Sequence, residues 1–214
     1  MMKFTRFAQA AACIIVLTAS NAGDAAVFSR FVSALPDARA EFEYAYRLSS
    51  GNTEMSGSGS VIFQGDAFVM KGDGLEVYCD GTDRWTVDRN AREAVAELFD
   101  RDNMDIFSNP ALMAVNADGF FTAVSESSVS SNGKDIVRTV LAPKSNTGRV
   151  SSAFLDFSVG DGIPVPVGAH LTMEDGSVLD ISISGFECMP AGDISFFSFD
   201  AGSLGEDFVV TDLR

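Results

Sequence analysis

The stretch from Gly59 to Asp88 constrains this chain more than any other. It reads GSVIFQGDAFVMKGDGLEVYCDGTDRWTVD, four short runs separated by Gly65-Asp66, Asp73-Gly74 and Asp80-Gly81. Each run places bulky apolar side chains at alternate positions: Val61 and Phe63, Phe68 and Met70, Leu75 and Val77, Trp85 and Val87. A period of two is strand geometry, and Gly/Asp pairs supply the backbone conformations that tight hairpins need. The stretch is therefore expected to form an antiparallel meander with one aromatic-rich face. Such a face either packs the protein's own core or wraps an apolar ligand.

The same alternation continues on both sides. Phe42, Tyr44, Tyr46 and Leu48 share one face of a strand, with Glu41, Glu43 and Arg47 on the other. Further strands are expected at 93–99, 119–125, 135–142, 154–159, 167–173, 178–186, 194–199 and 208–210, and Asp175-Gly176 is a strong hairpin signal. Two segments depart from the pattern. From Asp24 to Leu35, Val27, Phe28, Phe31, Val32 and Leu35 recur at helical spacing, with Asp24 placed to cap and Pro36 to stop. From Asp102 to Val115, Asn109-Pro110 is a helix start amid Met104, Ile106, Phe107, Leu112, Met113 and Val115, an apolar interruption that suits a lid or plug. The expected fold is mainly β with a few helices. It has about ten or eleven strands in one sheet or barrel at the spacing of all-β chains, with no internal repeat and no linker.

The first 22 residues are expected to be removed. Lys3 and Arg6 precede an apolar run from Phe7 to Ala19, and Ser20-Asn21-Ala22 fits a signal-peptidase site. The run is shorter than the roughly 20 apolar residues that span a bilayer. Ala10-Ala11-Ala12 before Cys13 lacks the bulky aliphatic residue of a lipidation site. Residues 23–214 then form one exported domain. Cleavage takes away two of the 15 basic residues and none of the 30 acidic ones, leaving a net charge of −17. That charge repels nucleic acid and anionic membranes and keeps an apolar load in solution. In an oxidising compartment Cys79 and Cys188 could pair as a disulfide; the alternative is two small buried thiols.

Catalytic and metal-binding patterns are poor. His170 is the only histidine and stands opposite the Val167/Ala169/Leu171 side of its strand, which points it towards solvent. One histidine and two distant cysteines do not make a zinc site. There is no nucleophile elbow, phosphate loop or calcium loop. No enzyme activity, metal or cofactor is expected. What remains is apolar surface: 18 Phe and 8 Met, side chains that offer large contact area without requiring polar partners.

In order, these features resemble the LolA family, the bacterial periplasmic carriers of outer-membrane lipoproteins. The likeness covers residues 23–214. It rests on the early helix, the strands Glu41–Leu48 and Gly57–Phe63, and the Val77–Asp80, Gly81, Trp85 turn. It continues with Asn109-Pro110-Ala111-Leu112-Met113, Leu141-Ala142-Pro143-Lys144, the late Asp-Gly hairpin and a closing Asp-Phe-Val-Val-Thr-Asp. The resemblance implies an incomplete antiparallel β-barrel covered by a helical lid, and a periplasmic, monomeric carrier moving lipoproteins from inner to outer membrane. Phe42, Tyr44, Tyr46, Phe63, Phe68, Met70, Val77, Trp85, Met104, Ile106, Leu112 and Met113 would line its cavity and lid. Its partners would be lipoprotein acyl chains or lipid, an inner-membrane releasing complex and an outer-membrane acceptor. An acyl chain in water costs about 0.8 kcal/mol per methylene, so such cargo needs cover. One place departs: where the family has a lid-latching arginine, this chain reads Gln64-Gly65-Asp66-Ala67-Phe68. The alternative is a sensing or regulatory module of the same fold that binds an envelope protein or lipid without shuttling it.

Overall fold

A computed structural model describes residues 26–100, 117–131, 134–144 and 149–214. The proposed signal segment and the Asp102–Val115 segment lie outside the described residues. Helix α1 (Ala26–Ala34) leads into β1 (Ala38–Ser50), β2 (Thr53–Gln64), β3 (Ala67–Gly72), β4 (Leu75–Cys79), β5 (Asp83–Asp88) and β6 (Glu93–Leu98). A single helical turn, α2 (Ala117–Phe120), precedes β7 (Phe121–Ser131), β8 (Lys134–Pro143), β9 (Val150–Ser158), β10 (Val165–Met173) and β11 (Val178–Pro190). The chain ends with two short 3-10 helices, Ile194–Phe197 and Ala201–Ser203, and β12 (Val209–Asp212).

The strands form one sheet in the order β12-β6-β5-β4-β3-β2-β1-β11-β10-β9-β8-β7. Two meanders, β1–β6 and β7–β11, meet where β1 pairs with β11. All described pairs are antiparallel except β12 with β6. The sheet has two edges, β7 and β12, and is an incomplete barrel.

Helix α1 covers the inner face of this sheet. All five apolar residues expected on its buried side, Val27, Phe28, Phe31, Val32 and Leu35, join the main core. Phe31 is fully buried, 5.3 Å from the ring of Phe157 and 5.9 Å from that of Phe186. Burying one such side chain stabilises the fold by about 1.5–3 kcal/mol. The helix is held at its start by a residue far away in sequence. The Glu126 carboxylate of β7 accepts hydrogen bonds from the Val27 and Phe28 amides, and also from the hydroxyl of fully buried Thr139. It satisfies amides that a helix start leaves orphaned.

One expected strand is corrected. The run 194–199 is not a strand: Asp193 and Asp200 accept from the amides two residues on, which tightens the backbone into 3-10 turns. In β11 the apolar positions change from odd to even, Leu179, Ile181 and Ile183 and then Phe186. A bulge at Gly185, with φ of 62°, absorbs the change and keeps all four on the inner side.

Candidate functional site

Strand register sorts the expected cavity residues. Phe42, Val61, Met70 and Val77 form one cross-strand row, and Ala40, Phe63, Phe68 and Cys79 the next. Both rows face the core under α1. Tyr44 and Tyr46 extend the face along β1, their ring centroids 6.4 Å apart. Their rings lie over Gly59 and Gly57, where a Cβ would stand under 3 Å from ring atoms. Burial, then the neighbouring Tyr46 and Asp73, push the Tyr44 hydroxyl above its ordinary pKa, so it stays a proton donor.

This face is graded. Phe42, Phe63, Phe68 and Met70 are buried. Tyr46, Leu48, Val77 and Ile183 are only half-buried, so the face opens towards the far end of β1. At the C-terminal end of α1, Val32, Leu35, Pro36 and Phe63 line a cavity of about 300 Å³, with Gly65, Asp66 and Asp118 at its sides. Seven of the expected site residues thus share one surface.

Trp85 does not join them. Its row runs Trp85, Tyr78, Val69, Ile62, on the outer face of the sheet. There it packs with Val87, Ala94 and Ala96 beneath Phe199, Leu204 and Phe208 of the C-terminal segment. Inward from β5 and β6 point Arg84 and Glu97, paired at 2.8 Å. The apolar side of the sheet therefore changes face between β4 and β5. Hairpin arithmetic contains this signal: the loops pair Phe63 with Phe68, Phe68 with Cys79 and Cys79 with Arg84, so odd and even positions exchange faces at each turn. Met104, Ile106, Leu112 and Met113 lie outside the described residues.

The two thiols are free, and no Cys79–Cys188 bridge forms. Cys188 pairs across from Ala40, in the same row as Cys79 but with β1, β2 and β3 between them. At the usual strand spacing this is roughly 19 Å, far beyond disulfide reach. Gln64, the first residue of the stretch where the resemblance implied an arginine, turns outward. Its side chain bonds both the amide and the carbonyl of Gly192, at 2.8 and 3.0 Å.

His170 lies on the outer face, stacked on Phe154 and 2.6 Å from Asp180. Thr172 Oγ1 is 3.5 Å from its other ring nitrogen, at the outer limit of a hydrogen bond. Thr172 closes the β10–β11 pairing opposite Val178, and its carbonyl accepts from the Ser151 hydroxyl at 2.9 Å. Nearby, Arg138 pairs with both oxygens of Asp156 and covers Phe154. The group is a surface network that orders β8–β11. No cluster of metal-ligating residues occurs among the described residues.

No family model matches the sequence, and no curated protein matches it. Solved structures do. An uncharacterized conserved protein from Thermus thermophilus matches with a TM-score of 0.53 at 10% identity, over 87% of this chain and 97% of that one. A LolA superfamily protein from Nitrosomonas europaea matches at 0.49 and 12% identity, over 81% and 97%. A DUF1329 family protein from Desulfovibrio piger matches at 0.46 and 12% identity, over 84% and 99%. At these identities the likeness concerns fold, and the Thermus protein carries that comparison.

Proposed function

We propose that the protein is an exported carrier that holds acyl chains of lipoproteins, or similar lipids, against the inner face of the sheet. The observation that carries this reading is the graded apolar face: a closed aromatic core under α1 that becomes half-buried at Tyr46 and Leu48 towards one end of β1 and, at the other, borders a cavity walled by Val32, Leu35, Pro36 and Phe63 with Asp66 and Asp118 at its sides. Aromatic and aliphatic walls with few fixed polar partners hold chains of varied shape and let them go. Signal cleavage after Ala22, a periplasmic location, a monomer working between an inner-membrane releasing complex and an outer-membrane acceptor, and the absence of catalysis complete the proposal.

One observation favours the second reading, a sensing module. In the stretch where the resemblance implied a latching arginine, Gln64 spends its amide on Gly192 on the outer face, so the inner face lacks that release contact. Titration with a fluorescent triacylated lipopeptide tests carriage. The carrier reading expects saturable binding, weakened about tenfold or more in Val32→Asp, because the variant sets a charge on the apolar wall formed by Val32, Leu35 and Phe63 where an acyl chain would lie. Equal binding by Val32→Asp, or none by the wild type, overturns it. Native mass spectrometry of protein taken from its own periplasm gives the cargo: a lipid or lipoprotein for a carrier, an envelope protein for a sensor.

A further inference from the structure

The outer face of β2–β6 would be an apolar strip if it stood alone. Ala67, Val69, Trp85, Val87, Ala94 and Ala96 lie there, each under 10% exposed. What covers them is the C-terminal arm, residues 191–214. Phe197 is completely buried against Ala67 and Val69, with Ile62 and Tyr78 beside it. Phe199 sits 4.9 Å from Tyr78 and 5.2 Å from Trp85, and Phe208 packs on the same cluster. The arm then adds β12 to the edge of β6 in parallel. An extended segment with aromatic anchors and an added strand is the way a peptide ligand fills a groove beside a sheet edge.

The arm is lightly held. Phe197 is its one buried residue, and all four side chains of β12 are exposed. Several of its polar bonds are internal: Asp193 to Ser195, Asp200 to Gly202 and Asp212 to Arg214. These persist when the arm lifts. The polar side-chain ties to the body include Gln64 with Gly192, Asp80 with Ser198, Arg92 with Asp207 and Arg214 with Asp83, and the Arg39 guanidinium lies over Phe196 and Phe197 at 4.3 and 5.3 Å. Few buried apolar contacts and many exposed bonds mark a segment that opens below the global unfolding threshold. An open arm bares the Trp85 strip, and water is a poor cover for it, so the open form needs a substitute of the same chemistry.

We propose that the arm is a displaceable strap. The groove beneath it accepts, in exchange, an extended segment of a partner protein with aromatic side chains two residues apart, as in Phe197-Ser198-Phe199. This docking surface lies on the face opposite the lipid site and does not depend on what that site holds.

Two measurements on the protein spanning residues 23–214 test it. Hydrogen exchange is expected to find the arm amides of Val209 and Leu213 exchanging at least about 100-fold faster than those of β1 and β11. A labelled synthetic peptide of residues 192–214 is expected to bind Phe197→Ala at least about tenfold tighter than wild type, because the variant's own arm competes less. Gln64→Ala, which leaves every apolar contact in place, is expected to rank between them. Arm amides that exchange in step with β1 and β11, or peptide binding no tighter in either variant than in wild type, overturn the proposal.

Discussion

At the scale of single residues, the cysteines carry the clearest consequence. Burial pushes the Cys79 thiol up to about 12, and its Sγ–H donates to the Asp66 carbonyl. Burial also raises Cys188, but that residue is only half-buried. A thiol held protonated and out of solvent is a poor nucleophile. Iodoacetamide is therefore expected to modify Cys188 and spare Cys79 in native protein spanning residues 23–214, and to modify both in urea. Modification of neither thiol until a reductant is added would contradict the free pair. The sequence left open a Cys79–Cys188 bridge or two small buried thiols. It could not place them relative to each other, because their separation depends on strand order across the join between β1 and β11. Strand order is a property of long-range pairing, which local alternation does not contain.

At the scale of elements, α1 divides the legible from the illegible. Its apolar stripe was readable because helical spacing is local. Its anchoring was not, because Glu126 is 98 residues from the Phe28 amide it accepts. Replacing Glu126 with Ala orphans two helix amides and the buried Thr139 hydroxyl together. The loss expected is about 1–2 kcal/mol, the usual cost of a missing cap or buried hydrogen bond. Glu126→Gln keeps one acceptor oxygen and is expected to lose less. Urea midpoints measure both, and hydrogen exchange at Val27 and Phe28 tells a loosened helix from a general loss of stability. Equal midpoints for Glu126→Ala and wild type would mean that packing of Phe28 and Phe31 alone seats the helix. The bulge at Gly185 belongs at this scale too. The expected strand 178–186 runs through it, but alternation alone does not show where an extra residue is inserted, and an αL glycine lets one strand carry both odd and even apolar positions.

At the scale of the whole molecule, the all-β character and the turn positions followed from alternation and Gly/Asp pairs. The existence of a second covered face did not. Trp85 looked like part of the inner wall because each strand was read by itself, and only the pairing across the β4–β5 turn sends it outward. The arm over Trp85 has a consequence in acid. The Arg214 guanidinium bonds both Asp212 oxygens and also reaches Asp83, holding the Asp212 carboxyl at about 2 against an ordinary 3.8. Burial works to raise Asp80, but amide bonds from Asp83 and Thr82 and the Ser198 hydroxyl outweigh it and leave that carboxyl below its ordinary value. Both groups have folded pKa values below their unfolded ones. Their stabilisation is therefore present above the ordinary carboxylate value of 3.8 and is lost as pH falls below it, for Asp212 through about 2. Asp212 is exposed, so the effect is small and screened by salt. Trp85 emission is expected to change as Asp80 loses its hold on Ser198 of the arm and Asp212 its hold on Arg214, whose guanidinium lies over the indole at 5.3 Å. Arg214→Ala is expected to alter emission already at neutral pH and to flatten the acid change, because Asp212 then titrates alike folded and unfolded. Far-UV circular dichroism separates arm release from collapse of the sheet. The difference between the two emission profiles is the readout, and identical profiles would mean that the arm is seated by Phe197 and Phe199 without help from its terminal ion pairs.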